Sequence, residues 1–160
     1  LKENDQKNGL KWKYKYYEEE THGSAPLPSE YDAFKFIFDF YRFNAIKRLT
    51  DPKFNGDSAL AKHFENISKQ MGYKVFPPEP LLNDIGYGFL ISKDYERAYG
   101  FLKMNVDNHP KSWNCFDSMG DWYVAKGEKQ KAIEYFSKAI ALNNAATATK
   151  DKLNKLLSEK

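Results

Sequence analysis

The chain has 160 residues, a net charge of +3, and 25 basic against 22 acidic side chains. Its lysines lie among nearly as many acids, which excludes the concentrated basic face of a nucleic-acid binder. No apolar run approaches the ~18 residues of a membrane span, and the single Cys115 excludes an internal disulfide or a cysteine metal cluster. Hydrophobic residues at 41%, with 16% aromatic, suffice for a core. The length suits one domain or two small ones.

In chain order, residues 1–9 are polar. Leu10 to Tyr17 then alternate, with Leu10, Trp12, Tyr14 and Tyr16 on one side and Lys11, Lys13 and Lys15 on the other. A period of two predicts a strand with one buried face, and the lysine row suits a sheet edge. No comparable strand follows, so the expected partner is a second copy through Leu10–Tyr17 or a hydrolase domain missing upstream. Leu1 stands where an initiating Met is usual, which fits a processed or partial chain.

After Glu18–Glu20 comes a Gly/Pro/Ser loop ending at Ser29, which is expected to cap a helix with Asp32 completing a capping box. In that helix Phe34, Ile37, Phe38 and Tyr41 form one apolar stripe, flanked by Phe36, Phe40 and Phe43. Such an aromatic surface predicts burial on more than one side. Ser58 is expected to open a further helix with Leu60, Phe64, Ile67 and Met71 on one face, stopped by Gly72.

From there the chain repeats. Gly86 and Gly120 stand 34 residues apart, and Leu82/Phe116, Ile85/Met119, Phe89/Tyr123, Ala98/Ala132 and Leu102/Phe136 keep that register. A 34-residue period of large and small positions resembles the tetratricopeptide repeat, a helical hairpin that buries its apolar face only by stacking. The first repeat runs from about Glu79 to Ser112 and the second from Trp113 to Ala146. Asn105 departs from the pattern, where a small apolar residue is expected. Thr147 to Lys160 reads as a capping helix with Leu153, Leu156 and Leu157 inward and lysines outward.

In the register of that family, Asn83, Tyr87 and Leu90 of the first repeat and Asn114, Asp117 and Asp121 of the second line a groove. Family members that capture a peptide carboxylate carry Lys, Arg and Asn there. Asp117 and Asp121 repel a carboxylate, leaving a basic or apolar ligand, or a face that is merely solvated.

His22 follows the expected strand and precedes a helix, which is where an α/β-hydrolase presents its catalytic base. Alone, a loop histidine reads as solvated. The string Tyr16-Tyr17-Glu18-Glu19-Glu20-Thr21-His22-Gly23-Ser24-Ala25-Pro26, followed by Tyr31-Asp32 and the aromatic helix, resembles the end of the serine esterase family of α/β-hydrolases. That family includes siderophore-type and esterase D-like enzymes, some extended by tetratricopeptide repeats. The resemblance implies that His22 is the catalytic histidine. A Gly-x-Ser-x-Gly elbow is lacking: Gly56-Asp57-Ser58-Ala59-Leu60 misses its second glycine and Phe116-Asp117-Ser118-Met119-Gly120 its first. The triad acid lies upstream in the family. By itself the chain is therefore expected to be inert as a hydrolase.

His63, His109 and Cys115 lack ligand spacing, so neither a metal nor another cofactor is expected. The fold class is read as mainly α. Residues 1–50 form the strand, His loop and helix of an incomplete α/β-hydrolase-like domain, and 51–78 a linker helix. Residues 79–146 form two repeats and 147–160 the cap. The functional expectation is the C-terminal part of a bacterial-type serine esterase. The alternatives are a stand-alone repeat adaptor and a regulatory fragment that pairs its strand with a separate hydrolase.

Overall fold

The computed structural model describes residues 12–49, 51 and 53–158. They divide into a unit ending at Asn44 and one beginning at Ala45. Among the described residues regular structure is helical throughout.

In the first unit, Trp12–Tyr17 is irregular rather than a strand; Leu10 and Lys11 lie outside the described residues. An alternating segment becomes a strand only when a neighbour takes up its backbone donors and acceptors, and none does so among the described residues. Local side-chain bonds organise it instead: the Tyr17 hydroxyl donates to Asp32 Oδ2 at 2.9 Å, and Lys15 pairs with the same carboxylate. Helix α1 spans Pro26–Ile37. It starts ahead of Ser29 because proline fits the first helical turn, where its missing N–H is no loss. Ser29 Oγ donates to the Pro26 carbonyl at 2.8 Å and caps nothing. No residue of α1 is buried, and Tyr31, Phe34 and Ile37 stand open to solvent. The expected burial on more than one side is absent. A short 3-10 turn, Asp39–Tyr41, follows.

In the second unit, α2 (Gly56–Met71) begins at an Asn55 cap, before Ser58, and ends where Gly72 takes φ +75°, letting its N–H reach the Ser68 carbonyl. It buries Leu60 and Ile67. Helices α3 (Glu79–Ile91) and α4 (Tyr95–Asn108) form one hairpin, α5 (Trp113–Ala125) and α6 (Lys129–Leu142) a second, and α7 (Thr147–Ser158) follows. First helices thus begin at 79, 113 and 147 and second helices at 95 and 129, a constant step of 34. The α3/α4 turn places Lys93 at φ 61° and the α5/α6 turn places Gly127 at φ 73°, so a non-glycine residue holds the left-handed corner only in the first.

The core is a ladder of fully buried Leu82, Ala98, Leu102, Met119, Ala132 and Phe136. Gly86 and Gly120 let the paired helices meet: a Cβ on Gly86 would fall 2.6 Å from Leu102 Cδ2, and one on Gly120 would fall 2.5 Å from Phe136 Cδ1. Asn105 is fully buried; its Nδ2 donates to the Glu79 carbonyl at 3.3 Å while Oδ1 finds no hydrogen-bond partner among the described residues. The last helix departs from its expected facing. Leu156 is buried and Leu153 half-buried, but Leu157 is 61% exposed, and Lys152 turns inward.

Candidate functional site

The first helices α3, α5 and α7 are joined by polar side chains that recur about one repeat apart. At one end, Glu79 Oε1 accepts from Ser112 Oγ at 2.8 Å and from Asn114 Nδ2 at 3.1 Å. One turn on, the Ser118 hydroxyl lies 2.6 Å from Asn83 Oδ1. The Tyr87 hydroxyl then donates to Asp121 Oδ2 at 2.5 Å. Between α5 and α7, Asp117 accepts from Thr149 Oγ1 at 2.8 Å and from Lys152 Nζ at 2.8 Å, and the same ammonium donates to Asp121 at 2.7 Å.

Electrostatics follow from that geometry. Burial lowers the Lys152 pKa, but the bonds to Asp117 and Asp121 outweigh it and leave it above the ordinary lysine value. Burial, reinforced by the hydrogen bond to Asp121, raises the Tyr87 phenol well above its usual range. Lys152 thus carries the counter-charge for two acids that the sequence placed in an open groove. Asn83, Tyr87, Asn114, Asp117 and Asp121 are brought together; Leu90, half-buried, adds no polar group. A carboxylate ligand meets one acid in excess here, and a basic ligand has to displace Lys152.

The partners Glu79, Ser118, Thr149 and Lys152 went unrecognised in the sequence. Superposing α7 on α5 with the same step of 34 exposes the signal: Lys152 falls on the position of Ser118, which meets Asn83.

The polar groups of this cluster pair with one another. Ser118 is 1% exposed, and its hydroxyl lies against Asn83 Oδ1 and the Asn114 carbonyl. Cys115 is fully buried, and that burial pushes its thiol up to about 11. His109 Nε2 lies 2.9 Å from the Pro77 carbonyl, and His63 packs edge-on against Phe64. Among the described residues no group of His, Cys, Asp and Glu gathers that could hold a metal ion, and no helix is long and apolar enough to cross a membrane.

His22 stands apart, exposed in the turn before α1. The turn is held by Thr21 N–H donating to Ser24 Oγ at 2.9 Å and by Ala25 N–H donating to the Thr21 carbonyl at 2.9 Å. Glu20, on its N-terminal side, is exposed as well.

A scan against protein-family models and a search among curated proteins each found no match.

Proposed function

We propose that residues 45–160 are a tetratricopeptide-type scaffold, and that the chain is the C-terminal portion of a serine esterase whose catalytic base is His22. The repeats pack against other protein or recruit it. One observation carries the scaffold reading: the close approaches at Gly86 with Leu102 and at Gly120 with Phe136 are the same contact, repeated at the same step as the helix starts. Identical contacts at a fixed period are what a stacked repeat requires.

The esterase reading is supported by the resemblance over Tyr16–Pro26 and by an imidazole open to solvent ahead of a helix. In such an enzyme His22 takes the proton of the attacking serine and returns it to the leaving alcohol. The decisive experiment is to sequence the coding frame upstream of Leu1 and assay ester hydrolysis by the polypeptide it encodes. A Gly-x-Ser-x-Gly followed by an acid, with activity abolished by H22A, is the expected result. A frame without them withdraws the enzyme.

The rival reading, a stand-alone adaptor, is favoured by the irregular course of Trp12–Tyr17. It predicts that substitution of Tyr87, Asp117 or Asp121 abolishes capture of a partner.

A further inference from the structure

Each first helix of the stack turns one stripe toward the hairpin before it. In α5 that stripe is Cys115, Ser118, Met119 and Trp122, exposed by 0%, 1%, 0% and 8%. In α7 it is Thr149, Lys152, Leu153 and Leu156, all buried or half-buried. The same register in α3 gives Leu81, Asp84, Ile85 and Gly88. Here the stripe lines an open groove of about 650 Å³, with Leu49 and Phe89 beside it. Asp84 and Gly88 are exposed, and a Cβ added at Gly88 meets nothing.

The stack itself shows what covers such a stripe. Asn83 of α3 reaches Ser118 of α5, and Asp117 and Asp121 of α5 reach Lys152 of α7. The covering positions therefore advance by 34, and their next members are Asp151 and Lys155, both exposed on α7. The receiving position that is Ser118 in α5 and Lys152 in α7 is Asp84 in α3.

We propose that the groove beside α3 is the seat for α7 of a second copy of this chain, so that the helical stack runs on from one molecule into the next. Continuity with the α3–α5–α7 ladder is one argument; charge is the other. Within the chain an ammonium, Lys152, is shared by two carboxylates, Asp117 and Asp121. Across the seat Lys155 is shared by its own Asp151, one helical turn earlier, and Asp84 of the next copy. Arg97, the other charged group lining the groove, is held by Asp94 at 2.5 Å and stacks over Phe89. The contact joins unlike surfaces, so it does not close on itself as a two-fold dimer does.

Sedimentation velocity of the full chain over a wide concentration range, at low salt, tests this. The expected result is a weight-average mass that climbs past the dimer. K155D leaves Asp84 facing two acids with no cation between them and weakens association by about tenfold or more, whereas the combined D84K/K155D restores it, because Lys at 84 then lies between two acids. Both positions are exposed, and far-UV circular dichroism checks that each variant is folded. A monomer at every concentration overturns the proposal. So does association that ignores K155D, as exposed α1 would produce, or a folded double variant that fails to reassociate.

Discussion

Replacing Gly120 by alanine isolates the contact that defines the hairpin. Alanine in a helix interior is favoured over glycine by about 1 kcal/mol, so the substitution stabilises unless the new methyl has no room. At Gly120 it has none: the Cβ would fall 2.5 Å from Phe136 Cδ1, where ordinary contact begins at 3.4 Å. The ring must retreat by roughly 1 Å, and Phe136 is fully buried with nowhere to go. Overpacking of this kind costs about 1–3 kcal/mol. With a collision against a rigid ring near the upper end of that range, G120A should lose about 1–2 kcal/mol net. Gly88 is the control, since its helix is the same kind and its Cβ meets nothing; G88A should gain about 0.5–1 kcal/mol. Urea unfolding followed by circular dichroism, at dilute protein, reads both. If G120A matches or exceeds the parent, or G88A loses as much as G120A, the close-approach argument is wrong.

Lys93 occupies the left-handed corner that Gly127 occupies one repeat later, so K93G should raise stability by about 0.5–1 kcal/mol in the same urea assay. Lys152 and Tyr87 have folded-state pKa values above the ordinary 10.5 and 10.0. Raised values favour the protonated forms, so this stability is complete below the ordinary values and is lost as pH rises through the folded ones. Alkaline titration of unfolding should therefore show a loss of stability that K152M and Y87F each reduce; an unchanged alkaline limb in both variants contradicts the ladder. Cys115 is fully buried with its thiol raised to about 11, so a thiol-disulfide reagent at neutral pH should react only as fast as the protein opens. Rapid stoichiometric reaction in the native state contradicts that burial.

The repeat region was the legible part of the sequence because its information is redundant. Gly86 and Gly120, Ala98 and Ala132, Leu102 and Phe136 all report the same step, and the helices start where that step places them. The region before Asn44 had only local patterns to offer. Alternation at Leu10–Tyr17 states which face could be buried, not whether a neighbouring strand exists, and the aromatic stripe of α1 likewise says nothing of what lies over it. Register puts Asn83, Tyr87, Asn114, Asp117 and Asp121 side by side, but it does not show which cation meets the two acids. Lys152 looked like one of the outward lysines of a leucine-striped helix, and its acids lie 35 and 31 residues upstream. Only alignment of α7 with α5 as a further first helix makes that pairing visible. Leu157 shows the converse: its apolar chemistry implied burial, but it lies on the side of α7 that no described helix covers.

The ladder through Lys152 also governs how the protein comes apart. If each hairpin were held only by its own core, the C-terminal helix could fray with little consequence for its neighbours. Here its departure strips Asp117 and Asp121 of their shared cation and leaves two like charges one helical turn apart on α5 to repel each other. Opening at one end therefore raises the free energy of the next hairpin, and unfolding runs inward instead of stopping at the boundary of a unit. Amide hydrogen exchange in α5 and α7 should then report a single opening event, while α1, with no buried residue, exchanges independently.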